Sequence, residues 1–177
     1  MKISDMGGTF MELQIILAGM CDLEDMVRIH CESWKHAYKG IISDDFIQRK
    51  NQSRREKWAD ILSGENKKHY IIRQNGTAVG MVSIDFPREA AEADTYEIFG
   101  LYILPEYERM GYGSETVAFI EEKIRNMGYK KISLWVLEPN IAARRFYEKL
   151  GFTPDGTEKL SYYDKPINLI RYIKACE

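Results

Sequence analysis

Asn75-Gly76 stands between two β-rich runs, His69 to Arg73 and Ala78 to Phe86, and no short-range hairpin signal is stronger. An antiparallel ribbon is therefore expected in the middle of the chain, and the rest of the fold must be built around it. Upstream the apolar period is helical. Asp22 occupies an N-cap position ahead of Leu23, Met26, Val27, His30, Trp34 and Tyr38, which keep helical spacing, and Gly40 ends it. Ser43-Asp44-Asp45 opens a second helix that runs through Trp58, Ile61 and Leu62 to Gly64. Before both, Leu13 to Leu17 reads as a first strand.

Downstream of Pro87, Arg88 to Asp94 reads as an acidic loop, and Thr95 to Leu104 as a strand stopped by Pro105. Gly111 to Met127 places Val117, Ile120, Ile124 and Met127 on one helical face. Lys131 to Leu137 is a further strand. Asn140 then caps a short helix that turns Ala143, Phe146, Tyr147 and Leu150 inward, with Gly151 in the left-handed position beyond it. Phe152 to Leu160 and Ile167 to Ile173 close the pattern as two strands. No repeat, linker or low-complexity segment interrupts it, so one α/β domain over residues 1–177, core about 13–174, is expected, with a mainly antiparallel sheet.

Composition narrows the partners. With 45% hydrophobic and 29% charged residues the chain is ordinary globular material, and a net charge of −2 lacks the basic excess of a nucleic-acid binder. Cys21, Cys31 and Cys176 are odd in number and unrelated in spacing, which fits reduced packing thiols better than disulfides, a zinc site or a nucleophile beside His30 or His36. Leu13 to Ala18 is too short for a membrane span or an export signal. A cytoplasmic protein with no metal, no membrane and no nucleic acid among its partners is the expectation.

Chemistry concentrates between Glu97 and Ser114, where a strand, Pro105 and a polar corner lead to Gly111-Tyr112-Gly113-Ser114 at a helix start. The first amides of a helix lack internal partners and sit at its positive end, so they hold anions. Alone, a Gly-x-Gly there is equally a tight turn. No Gly-Lys-Ser/Thr follows, which excludes a P-loop, and the third glycine of a dinucleotide fingerprint is missing.

Glu108-Arg109-Met110-Gly111-Tyr112-Gly113, preceded by Leu101-Tyr102-Ile103-Leu104-Pro105-Glu106-Tyr107, resembles the acyl-CoA motif of the GNAT superfamily and its usual approach. A second block, Asn140, Ala143, Phe146-Tyr147 and Gly151-Phe152, resembles that family's other signature at the expected distance, and Ser33 to Ile41 resembles the first helix of many bacterial members. The resemblance implies a GNAT fold, a mixed and mostly antiparallel twisted sheet of about six to seven strands flanked by about four helices. It also implies an N-acetyltransferase that moves the acetyl group of acetyl-CoA to a primary amine in a ternary complex. Glu108 departs from the family's Gln or Arg at that place, which favours the alternative of a catalytically weak acyl-CoA sensor.

Carried over by resemblance, Leu101, Tyr102, Ile103, Arg109, Met110, Gly111, Tyr112, Gly113, Ser114, Asn140 and Phe146 hold the acetyl-CoA; the strand of Glu97 splays from its neighbour at a β-bulge to admit the thioester, and an N–H near Ile103, just past the bulge, faces the oxyanion. Glu97 reads as general base or as a solvated strand-edge carboxylate. Tyr147 reads as the acid for the thiolate or as a core aromatic; a phenol near pKa ~10 can protonate a thiolate near ~8.5. Trp34 and Tyr38 form one wall of the acceptor groove or pack on the sheet. Glu89, Glu92, Asp94, Glu97, Asp44 and Asp45 would favour a cationic amine if they lined that groove, and are otherwise a solvated charged surface. Many members form homodimers, but no stripe in this sequence marks an interface.

Overall fold

In the computed structural model the described residues are 2–4, 10–64, 68–88 and 93–176. The elements run β1 (Lys2–Ser4), β2 (Phe10–Leu17), α1 (Leu23–Ala37), α2 (Asp44–Gln52), α3 (Arg54–Ser63), β3 (His69–Gln74), β4 (Thr77–Asp85) and β5 (Thr95–Ile103). They continue with α4 (Tyr112–Asn126), β6 (Lys131–Leu137), α5 (Ile141–Lys149), β7 (Thr153–Tyr162) and β8 (Pro166–Ala175). The strand order is β1-β2-β3-β4-β5-β6-β8-β7. Every neighbouring pair is antiparallel except β5 and β6.

The hairpin forms where expected. Asn75 and Gly76 both take positive φ, 49° and 81°, as a two-residue turn that follows the strand twist requires. The mixed, mostly antiparallel sheet is as the resemblance implies, with the short β1 added at one edge. The second helix divides into α2 and α3 at Ser53 (φ −100°, ψ 7°), whose hydroxyl donates to the Lys50 carbonyl at 3.4 Å. A serine that bonds its own backbone competes with the helical ladder, and among the described residues this gives five α-helices where about four were expected.

Side chains alternate along the strands and feed two layers. Tyr70, Val82, Ile98, Ile132 and Leu134 face Val117, Ile120 and Ile124 of α4. Ile71 and Met81 face the other way, onto Met26 and Ile29 of α1 and Trp58 of α3. Each fully buried aliphatic contributes on the order of 1.5–3 kcal/mol, so helices are pinned to both faces of the sheet. Among the described residues no helix is long and apolar enough to cross a membrane.

Candidate active site

The site begins where two parallel strands part. β5 and β6 pair from Thr95↔Lys131 to Ile98↔Leu134 and no further. On its other side, β5 changes register against β4 between Gly100↔Ser83 and Ile98↔Ile84, leaving Phe99 as a bulge. Beyond it β5 stays with β4 while β6 stays with β8, and a cleft of about 460 Å³ fills the gap. The Leu104 N–H donates to the Val79 carbonyl at 2.9 Å, which sets the phase of the antiparallel ladder. Tyr102 and Gly100 therefore turn their amides toward β4, and Leu101 and Ile103 turn theirs toward the gap. The Ser33 hydroxyl donates to the Ile103 carbonyl at 3.0 Å, from that same open side.

The strand leads directly to a helix start. A single turn, Pro105–Tyr107, redirects the chain, and Gly111 (φ 91°) caps α4. The amides of Tyr112, Gly113 and Ser114 have no carbonyl to meet within the helix. A Cβ on Gly113 would lie 3.1 Å from Cζ of Phe146 and 3.3 Å from its Cε2. The missing side chain thus makes room for the Phe146 ring of α5 against α4, as well as leaving the helix start bare. Met110 and Ser114 are exposed, and Arg109 holds a left-handed φ of 62°. Glu108 lies 3.6 Å from Nε2 of His36, both side chains about half exposed.

Two titratable groups sit deep in the cleft. Glu97 is 5% exposed where the strands part, and Tyr147 is 8% exposed on α5. Burial, and then the neighbouring Tyr102 phenol, push the Tyr147 hydroxyl well above the ordinary tyrosine range. Asn140 also lines the cleft, and its Oδ1 accepts the Ala143 N–H at 3.1 Å as the cap of α5.

The family model for the acetyltransferase (GNAT) family matches residues 25–152, which contain the parted strands, the helix start and both deep groups. The chain belongs to the GNAT acetyltransferase family. It is 26% identical to the spermidine N(1)-acetyltransferase of Thermoplasma acidophilum over 151 residues, 84% of this chain and 92% of that one. An uncharacterized N-acetyltransferase of Bacillus subtilis is 28% identical over 121 residues, 67% of this chain and 68% of the relative. The same fold occurs in the PaiA N-acetyltransferase of Thermoplasma acidophilum in complex with coenzyme A, with a TM-score of 0.71 and 24% identity, covering 91% of this chain and 98% of that one.

In this GNAT acetyltransferase, as an acyltransferase, the remaining cleft wall is aromatic. Trp34 of α1 and Tyr38, which caps that helix, both line it and meet edge to face at 5.2 Å. Trp34 Nε1–H donates to the Tyr102 hydroxyl at 3.0 Å, so the side chain of Tyr102 belongs to this wall while its backbone follows the strand. Burial, with the Tyr102 phenol beside it, raises Tyr38 as well. Tyr163 completes the wall, and its phenol is also pushed up by burial.

Behind the wall lies a support that the sequence did not announce. The His30 ring stacks on Tyr102 at 5.0 Å, and Trp58 Nε1–H donates to His30 Nδ1 at 3.1 Å. The Arg54 guanidinium lies 2.6 Å from His30 Nε2 and 4.3 Å over Trp34. His30 shares the helical period of Trp34 and Tyr38, which was its one visible signal; Arg54 had none, because its place depends on the break at Ser53. Cys31, beside His30 in sequence, is half-buried, and burial raises its thiol.

The acidic groove does not assemble from the described residues. Asp44 and Asp45 are exposed at the start of α2, and Asp94 precedes the paired end of β5; none of them lines the cleft. Glu89 and Glu92 lie outside the described residues. Glu97 is the carboxylate that does line it, together with two cations, Arg88 and Lys159.

Proposed function

We propose that the protein transfers the acetyl group of acetyl-CoA to a primary amine by direct attack in a ternary complex. The observation that carries this is the convergence of Glu97, Tyr147 and Leu101 on one cleft, where the amides of Leu101 and Ile103 turn away from β4 and the strand runs on to the turn before α4. The donor fits the residues present: an extended arm can pair with the Leu101 and Ile103 backbone, and a diphosphate can meet the amides of Tyr112 to Ser114. Asn140 Nδ2 is a further donor for the arm, since its Oδ1 is engaged in the cap.

An alkylammonium, pKa near ~10.4, must lose a proton before it can attack. Glu97 takes that proton, and the freed amine attacks the thioester carbonyl. An amide N–H near Ile103 holds the developing oxyanion, a contribution typically worth about 3–4 kcal/mol. Collapse breaks the C–S bond, and Tyr147 protonates the departing thiolate, regaining its proton from solvent. Its raised pKa keeps Tyr147 protonated at neutral pH. The same shift makes the transfer uphill by more than about 2 kcal/mol against a free thiol, so the step draws on thiolate binding.

Thiol release from acetyl-CoA with a panel of amines tests the reading. Tyr147→Phe is expected to lower kcat by about tenfold or more while the KM for acetyl-CoA holds within about twofold. Equal kcat in the variant would remove Tyr147 from the reaction. No release with any amine, with acetyl-CoA still bound, would leave the sensor alternative.

A further inference from the structure

Three aromatic faces at the cleft already carry protein cations. Arg54 lies 4.3 Å over Trp34, Arg88 4.8 Å over Phe99 and Lys159 3.9 Å over Trp135. All three rings line the cleft, and so do Arg88 and Lys159 themselves. Facing them is Glu97, 5% exposed, as the carboxylate among the described lining residues. Charge is therefore divided: one buried acid where the strands part, and cations ranged around the aromatic wall. The division has consequences for a substrate with two charged ends. Arg54 holds Trp34 from behind the wall, but a second ammonium beside Phe99 or Trp135 finds those rings already engaged by Arg88 and Lys159, with like charge beside it. A carboxylate at the same place meets opposite charge and guanidinium donors instead.

Resting on the acetyl-transfer reading above, we propose that the acceptor is an aminocarboxylate. Its amine lies at Glu97 and its anionic end lies between Arg88 and Lys159. Of the acidic residues that would have suited a polyamine, Asp44, Asp45 and Asp94 do not line the cleft, and Glu89 and Glu92 lie outside the described residues. Arg88 lies just beyond β4 and Lys159 on β7, strands on opposite sides of the parting in the sheet order, and both line the cleft.

The test is steady-state thiol release by the full chain with ω-amino acids, uncharged monoamines and diamines of matched length, α-amino acids and spermidine. Wild type is expected to use the best aminocarboxylate with kcat/KM about tenfold or more above the matched diamine and monoamine, mostly through KM. Arg88→Glu combined with Lys159→Glu is expected to invert that ranking; circular dichroism and acetyl-CoA binding establish that the variant is folded. A wild-type ranking led by spermidine, a diamine or a monoamine overturns the aminocarboxylate assignment and leaves acetyl transfer standing. A preference for aminocarboxylates that survives the double reversal overturns the roles of Arg88 and Lys159. No release with any acceptor, while acetyl-CoA binds, overturns the acetyl-transfer reading and this inference with it.

Discussion

Gly113 shows how one absent side chain can serve two neighbours. It bares the start of α4 for an anion, and it admits the Phe146 ring, which in turn meets Tyr147 at 5.0 Å, edge to face. Gly113→Ala places a methyl 3.1 Å from Phe146 Cζ, so the ring must retreat by a few tenths of an ångström and carry Tyr147 with it. The expected outcome is a rise of about threefold or more in the KM for acetyl-CoA together with a fall in kcat, read by thiol release. Unchanged kinetics would show that the ring yields freely. The sequence made the glycine conspicuous but not its neighbour, because Phe146 lies thirty-three positions away and nothing local ties the two. Tyr147, Glu97 and Asn140 were legible through their motifs. Tyr102 was legible only as backbone, since the direction of its side chain depends on Trp34 and His30.

Elements were read best where their signals are local. The turn at Asn75-Gly76, the stop at Pro105 and the cap at Asn140 each act within a few residues, and the strands and helices they bound fell close to expectation. The break at Ser53 escaped, and the bulge at Phe99 came from the family resemblance rather than from any local signal. The first sits in a polar stretch where helical period has little to show, and the second exists only relative to the register of β4. Asn140 allows an element's stability to be separated from its service to the ligand. Asn140→Ala removes the acceptor for the Ala143 N–H and is expected to cost about 1 kcal/mol in chemical denaturation. Asn140→Asp keeps the acceptor and the stability but loses the amide donor, so only the KM for acetyl-CoA rises. If both substitutions raise KM only in proportion to lost stability, the side chain is a cap and nothing more.

His30 joins α1, α3 and β5 at one point, and through it the whole molecule is coupled to pH. Burial, and then the Arg54 charge, depress its pKa from 6.5 to about 3. Nδ1 accepts from Trp58 Nε1–H, so a proton added there would displace that bond, and it would put positive charge beside the Arg54 guanidinium. The folded state therefore requires the neutral ring. Because the folded pKa lies below the unfolded one, this stability is complete above pH 6.5. It is lost as pH falls from there, at about 1.4 kcal/mol per unit, until the folded-state value near 3. His69, also lowered by burial, adds a loss of the same sign. The carboxyls of Asp22 and Asp155 behave separately: burial raises them, but hydrogen bonds and the charges of Arg73 and Arg171 more than offset it, so their loss waits until below about pH 4. Between pH 6.5 and 4.5 the histidines thus dominate, and His30→Gln isolates the larger one. The variant is expected to be less stable at pH 7, having lost the bond from Trp58, yet to show a clearly shallower decline, so that denaturation curves at successive pH values converge with wild type. Parallel declines would place the acid sensitivity elsewhere. Convergence would mean that the one ring that joins α1, α3 and β5 behind Tyr102 carries the acid sensitivity of the whole molecule between those pH values.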